Sequence, residues 1–499
     1  MDLISKTRYL EYLTCPKDAW FRLHMPELPE LELDFMGKMN VEEGNKVELV
    51  AQQLKIFSGF IEVEKGGTKQ SGELVHLETH VIYQPTFIAD GFIIRCDFLV
   101  YNNKSSKYDL YEVKATNSLK DNERPHDHIS DITFQTIVLE KAGVEVGNKF
   151  IVHLNSEYIR GDELDIEQLF ITEEVTEQVT EKKDVVAEKM EQAKQYLNQD
   201  TEPKAGCKCN FYGRSRHCAT FHKSHPEVPD YSVHDLSRIG MTPKKIEQWV
   251  NNEIYNIHEV DNVEDLTPVQ KNQIRVHKTG EEEINIEEIA KILNNYSYPL
   301  YFFDYETFAP AIPIYKGYKP YQRIPIQFSL HILSKKGGEL THLEYLQQEN
   351  ADPSPEVAKK LVEYIAPQGT VLAWNDKFEN AVTREIGERL PEYAPAMNRI
   401  CAQMQDLMDI FSKQHYVHKD FKGKSAIEKI MNVLLPEMTY DNLLYTGAEV
   451  GYAWWEHIVN EGPEPTDRAR KLKHLFDYCE QDTFVMVEIY RILEKIVSK

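Results

Sequence analysis

The chain has no long apolar run, little cysteine and a deficit of positive charge. No stretch approaches the roughly 18 consecutive apolar residues that a membrane span requires, so no membrane partner is expected. The opening "MDLISKTRYLEYLTCPKDAW" lacks both a basic leader and an apolar segment behind it, which predicts no secretory signal and a cytoplasmic protein. Seven cysteines in 499 residues do not make a disulfide framework, and in a reducing compartment metal or cofactor ligation is the better question. With 57 Lys and Arg against 81 Asp and Glu, a net charge of -24, a general cationic coat for nucleic acid is excluded. A nucleic-acid enzyme is not excluded, because carboxylates that hold divalent metals add to the same sum. Any electropositive groove has to be local.

Nor is there a sequence repeat or a low-complexity tract. What remains is a length sufficient for two or three cores and an α/β pattern. "FIADGFIIRCDFLVYNN" and "KYDLYEVKAT" read as two strands joined by the turn-prone "NNKSSK". "ISDITFQTIVLEKAG" has the spacing of an amphipathic helix ending at Gly143, and "NKFIVHLN" follows as a strand. Residues 173 to 200 form a charged helical stretch without Gly or Pro, and a Cys-rich basic loop comes after it. Small helices occupy 230 to 295. Beyond Asn295, strands such as "YPLYFFDYETF", "IPIQFSLHIL" and "GTVLAWN" alternate with long helices. The expected organisation is an α/β domain over 1–225, a helical connector over 226–297 and a second α/β domain over 298–499.

"YFFDYETF" places two carboxylates, Asp304 and Glu306, on one face of an apolar strand. Like charges so close need a cation between them, and a divalent metal is the usual one. Two later segments join them: "LAWNDKFENAV" carries Glu379 after an apolar strand, and "FDYCEQDTFVMVEIYRIL" carries Tyr478 and Asp482 on one helical face. The ordered set D-x-E, N-x-x-F-E, Y-x-x-x-D resembles the three motifs of the DEDD exonucleases, the DnaQ-like group of the RNase H-like fold. The resemblance implies that Asp304, Glu306 and Asp482 bind Mg²⁺ or Mn²⁺, that Glu379 is the fourth acid, and that Tyr478 positions the attacking water. Glu379 departs from the family's usual Asp. Asp406 and Asp409 in "QDLMDIF" either support this site or start a helix. The basic "HYVHKDFKGKS" is either a phosphate-tracking loop or a solvated one.

A second constellation lies upstream. Asp97 lies on one strand, and Glu112 and Lys114 share a face of the next; acids that hold a metal beside an ammonium suit phosphodiester hydrolysis. This is similar to the PD-(D/E)XK nuclease core, a restriction-endonuclease-like fold, in its RecB-like branch. Gly44 and Glu48 in "EEGNKVE" match the branch's helix-borne metal ligand, and Gln135 matches its Gln-x-x-x-Tyr motif as a substrate contact, with Leu139 where the tyrosine stands. The resemblance implies Glu48, Asp97 and Glu112 as metal ligands and Lys114 as the catalytic lysine.

Cys15 and the trio Cys207, Cys209 and Cys218 flank that core. Their arrangement resembles the iron-sulfur staple of AddB and of the CRISPR-adaptation nucleases, which implies a [4Fe-4S] cluster; four thiolates also suit Zn²⁺. The spacing C-x-C-x8-C differs from the branch's usual C-x2-C-x5-C. Cys96, Cys401 and Cys479 read as packing residues. "HDLSRIGMTPKKIEQWVNNEIYNIHEV" resembles a helix-hairpin-helix or is a plain spacer. Over most of its length the chain resembles a bacterial fusion of these two nuclease types. The expectation is a dual nuclease on DNA with single strands or free ends, with RNA left open, trimming 3' ends at the C-terminal site in repair, processing or antiviral defence. The rival is a nucleic-acid-binding or assembly component with one active site.

Overall fold

The computed structural model describes residues 3–120, 127–261, 263–460 and 465–499. It is mixed α/β, and among the described residues no helix is long and apolar enough to cross a membrane. The chain forms two compact units. One runs to Glu227 and also takes in Pro310–Tyr321; the other comprises Val228–Ala309 and Gln322–Lys499.

The first unit begins with helices α1 (Lys6–Thr14), α2 (Pro16–His24) and α3 (Phe35–Ala51). Its main sheet contains β1 (Ile61–Glu62), β2 (Val81–Tyr83), β3 (Phe98–Asn102), β4 (Lys107–Lys114), β5 (Val146–Leu154) and β6 (Phe170–Glu174), hydrogen-bonded in that order. β3 and β4 pair antiparallel, while β4 and β5 pair parallel around the crossover helix α4 (His128–Lys141). Helix α5 (Thr176–Leu197) closes the layer over α4. The segment expected as one strand, "FIADGFIIRCDFLVYNN", is in fact a hairpin, Thr86–Ala89 with Phe92–Arg95, followed by β3. The reason is Asp90-Gly91: both adopt positive φ, 51° and 83°, which makes the tight two-residue turn that Asp-Gly favours. The break before β3 leaves Asp97, expected on the strand, just ahead of it.

Alternation along β4 sorts its side chains. Tyr108 and Leu110 enter the core shared with α4, and Tyr111 enters the core on the opposite face. Glu112 and Lys114 therefore look toward α4. Asp127 caps that helix, accepting from Ser130 N at 2.7 Å, and so sets where Asp131 and Gln135 meet the sheet. The excursion 310–321 is anchored by Ala311 N donating to Glu43 Oε2 at 3.0 Å, by Arg160 Nη1 donating to Pro313 O at 2.7 Å, and by Tyr321 OH donating to Ala115 O at 2.5 Å.

The second unit carries the strands β7 (Leu300–Phe308), β8 (Ile324–Leu333), β9 (Leu340–Leu346), β10 (Thr370–Ala373) and β11 (Met404–Asp406), arranged β9-β8-β7-β10-β11. The first three are antiparallel and the last two join in parallel. Tyr301, Phe303 and Tyr305 fill one face of β7, whereas Phe302 faces the other, where the long helix α6 (Pro465–Val497) packs. Phe302 meets Tyr490 of that helix edge-on, with ring centroids 5.6 Å apart. The helices of 233–279 enclose a small core of their own around Ile246, Trp249 and Ile274.

Candidate functional site

In the second unit, Asp304 and Glu306 lie on the α6 face of β7, cross-strand from Ser329 and Gln327. Tyr478 and Asp482, one helical turn apart, approach them from α6, and Glu379 enters from the first turn of the helix Lys377–Arg389. Asp482 and Glu379 act on the two strand acids. Burial, then Glu306, Asp482 and Glu379, raise Asp304 well above the carboxylate range; burial, Asp482 and Glu379 do the same to Glu306. Burial pushes Asp482 up to about 7 even though Tyr440 and Tyr478 hydrogen-bond its charged form. Glu379, 3% exposed, is pushed by burial to about 8, and its Oε2 has no hydrogen-bond partner. Partly buried acids held together, with an orphaned oxygen among them, could hold a metal ion. Tyr440, which donates to Asp482 Oδ1, was not singled out from sequence; it lies in a loop, "EMTYDN", with no spacing to mark it.

Asp406 is a backbone cap. Its Oδ1 accepts from Asn375 N at 3.0 Å and Met408 N at 2.9 Å, and Asp409 pairs with Lys413 at 2.5 Å on its own helix.

In the first unit, Glu112 is 2% exposed and is contacted by three groups. Lys6 Nζ lies 2.5 Å and Lys114 Nζ 2.7 Å from Oε1, and Gln135 Nε2 donates to Oε2 at 2.7 Å. Lys114 also pairs with Asp131, and Gln135 reaches Asp131 Oδ1 at 3.1 Å. Burial opposes the charge on Glu112, but Lys114 and Lys6 outweigh it and hold the carboxyl low. Asp97 is different. Burial, then Glu112, raise it well above the usual range, with Glu48 adding to the effect, although its Oδ2 accepts from Val113 N at 2.7 Å. Glu48 is fixed by Tyr83 OH at 2.8 Å and Gln84 Nε2 at 2.7 Å. Glu48, Asp97, Glu112, Lys114 and Gln135 thus belong to one cluster. Lys6 and Asp131 were missed: Lys6 sits in an ordinary-looking first turn, while Asp131 stands four residues before Gln135, a helical spacing that could have marked it.

Cys15, Cys207, Cys209 and Cys218 converge, with their sulfurs 3.7–3.8 Å apart. Hydrogen bonds from Cys15 and the other thiols hold Cys207 low, and bonds with the same partners push Cys15 and Cys218 up. At this distance the four could together hold a metal ion or a cluster. The loop is tied to α2: Asp18 Oδ1 accepts from Thr220 N at 3.0 Å and from Thr220 Oγ1 at 2.8 Å. Beside it opens a cleft of about 830 Å³ lined by Tyr12, Lys189, Lys208, Tyr212 and Arg216. Arg216 lies over the Tyr212 ring, 4.1 Å from its centroid.

No curated protein matches this chain. A family model described as a domain of unknown function, DUF2779, matches residues 301–426, a stretch that opens on "YFFDYETF", includes Asp304, Glu306 and Glu379, and stops short of Tyr478 and Asp482.

Proposed function

We propose that the protein is a metal-dependent nuclease with two hydrolytic sites acting on DNA. The observation that carries this reading is the meeting of Asp304, Glu306, Glu379 and Asp482 from three separate elements in one partly buried cluster with Tyr478 beside it. Holding four acids together in a partly buried cluster is costly to the fold and favours a cation among them. Divalent cations, Mg²⁺ or Mn²⁺, held by Asp304, Glu306 and Asp482 would supply Lewis acidity toward a phosphodiester. Glu379 would orient water from the far side, and the Tyr478 hydroxyl would fix the line of attack. Tyr440 donates to Asp482 and favours its charged form against burial. The strand order β9-β8-β7-β10-β11 supports an RNase H-like fold for this unit.

The second site is read as RecB-like. Asp97, Glu112 and Glu48 offer the carboxylates, and Lys114 is held at the end of β4 as the group that steadies the attacking water. Gln135 holds Glu112 in position. Lys6 and Asp131 balance each other's charge around that core. The basic, aromatic-lined cleft beside the cysteines is the local electropositive groove that a chain of net charge -24 requires, and it suits a single strand by stacking and charge.

For the cysteines the spacing favours Zn²⁺ over an iron-sulfur cluster. A tetrahedron with Zn–S of about 2.3 Å has edges of about 3.8 Å, which matches the 3.7–3.8 Å observed. In a [4Fe-4S] cluster each thiolate binds a different iron, which spreads the sulfurs wider. The whole reading is tested by incubating the chain with single-stranded DNA, duplex DNA and RNA in Mn²⁺ and in EDTA. Mn²⁺-dependent degradation of DNA is expected. Mn²⁺-dependent binding of DNA without any cleavage would favour a binding or assembly component instead.

A further inference from the structure

Another set of ligating side chains sits on the same face of the second unit's sheet, outside both acid clusters. His331 of β8 and His342 of β9 are direct cross-strand partners, so their side chains project together. Their rings stack with centroids 4.4 Å apart. Glu480 of α6 reaches over them, with Oε1 3.6 Å from His342 Nδ1. One ligand atom from each of the three residues lies within 4.8 Å of the other two.

Hydrogen bonds hold one nitrogen of each ring, His331 Nδ1 and His342 Nε2. Thr483 has a single hydroxyl proton, and its Oγ1 lies 3.0 Å from Glu480 O and 3.4 Å from Cys479 O, the back-bond of a helical threonine. Its Oγ1 is then placed to accept from His331 Nδ1 at 2.8 Å and from Ser329 Oγ at 2.7 Å. With its own proton directed to Thr483, Ser329 can only accept from His342 Nε2, 2.9 Å away. In this arrangement each imidazole has one nitrogen held by a hydroxyl, and the other nitrogens, His331 Nε2 and His342 Nδ1, carry the lone pairs. A metal-binding histidine needs this arrangement, the far nitrogen anchored so that the near one is presented.

The surroundings add to it. Burial drives His331 down to about 3 and also lowers His342, so neither ring needs to lose a proton to act as a ligand. Glu344, the cross-strand partner of Ser329, is raised by burial and by the nearby Glu480 and Asp477, so the field here is one that attracts a cation. The three donors must draw in to about 2.0–2.2 Å from a common ion. His331 is buried at 3% exposure, but His342 and Glu480, at 21% and 47%, border solvent and can make that adjustment.

We propose that His331, His342 and Glu480 bind one borderline divalent transition-metal ion, with Zn²⁺ the best match, which ties β8, β9 and α6 together and leaves a coordination position to solvent. Two imidazoles and one carboxylate suit zinc, whereas all-oxygen sites suit Mg²⁺ and Mn²⁺. The site does not depend on the nuclease reading of either acid cluster.

The test is zinc uptake by the full chain, dialysed against micromolar Zn²⁺ in excess Mg²⁺ and then analysed for bound metal. Magnesium fills carboxylate sites without competing for imidazole, and the cysteines contribute equally to every sample. Wild type is expected to hold one more zinc per chain than His342→Ala, and Glu480→Gln to hold that extra ion more weakly. Both changes lie at the solvent border, so circular dichroism should be unchanged, and the Zn²⁺-induced rise in Tm should shrink in both. Equal zinc in wild type and His342→Ala would overturn the proposal, as would an extra ion that both variants keep with unaltered affinity.

Discussion

Asp482→Asn should stabilise the metal-free protein, and only at the upper end of the pH range. The Asp482 carboxyl is raised by burial to about 7 from an ordinary 3.8. Between those values the folded chain keeps a proton that the unfolded chain has released, so stability is full below about pH 4 and is lost as pH rises through the folded value. At about 1.4 kcal/mol per unit, a shift of roughly three units costs on the order of 4 kcal/mol above pH 7. Asparagine cannot ionise, yet keeps an oxygen to accept from Tyr440. Neighbouring acids share the strain, so a gain of about 2–4 kcal/mol is expected for the variant in EDTA near pH 8, and none near pH 4. Urea unfolding followed by tryptophan fluorescence measures it. In Mn²⁺ the order should reverse, because wild type gains the free energy of ion binding and the variant loses most of it. A variant less stable than wild type in EDTA near pH 8 would refute the argument that these buried acids repel one another until a cation joins them.

Other perturbations follow from the same geometry. Glu112→Ala leaves Lys6 and Lys114 short of a buried partner and should cost about 3–5 kcal/mol in urea unfolding, whereas a surface variant such as Lys69→Ala should cost almost nothing. Tyr440→Phe removes a hydrogen bond that favours charged Asp482; the acid limb of Mn²⁺-dependent cleavage should move up by about one pH unit, and an unmoved limb would remove Tyr440 from the site. The purified chain should carry zinc at its cysteines and be colourless, and Cys209→Ser should lower the bound zinc. Brown, iron-containing protein prepared without oxygen would instead establish the iron-sulfur alternative.

The elements that build the sites were legible because their signals are local. Strict alternation placed Asp304 with Glu306 and Glu112 with Lys114, and four-residue spacing placed Tyr478 with Asp482. The Asp90-Gly91 hairpin was also written in the chain, as a positive-φ dipeptide inside an apparently continuous strand; it was missed because hydrophobic alternation on both sides outweighed two residues of turn chemistry. Lys6, Tyr440 and the excursion 310–321 were not legible. Lys6 reaches Glu112 across 106 positions of sequence, and Tyr440 reaches Asp482 across 42. Contacts of that kind depend on how elements pack, and no periodicity within an element records them. The cysteines fall between these cases: their clustering in sequence foretold convergence, but the sulfur spacing that separates one ion from a cluster exists only in three dimensions.

The central claim is that the chain holds two separate hydrolytic centres. It is tested most directly with DNA labelled at either the 5' or the 3' end, incubated in Mn²⁺ with wild type, Asp304→Ala and Glu112→Ala. Each variant should lose one component of the cleavage pattern and keep the other, with 3'-end trimming disappearing in Asp304→Ala alone. If both variants cleave as wild type does, the two-site account is wrong.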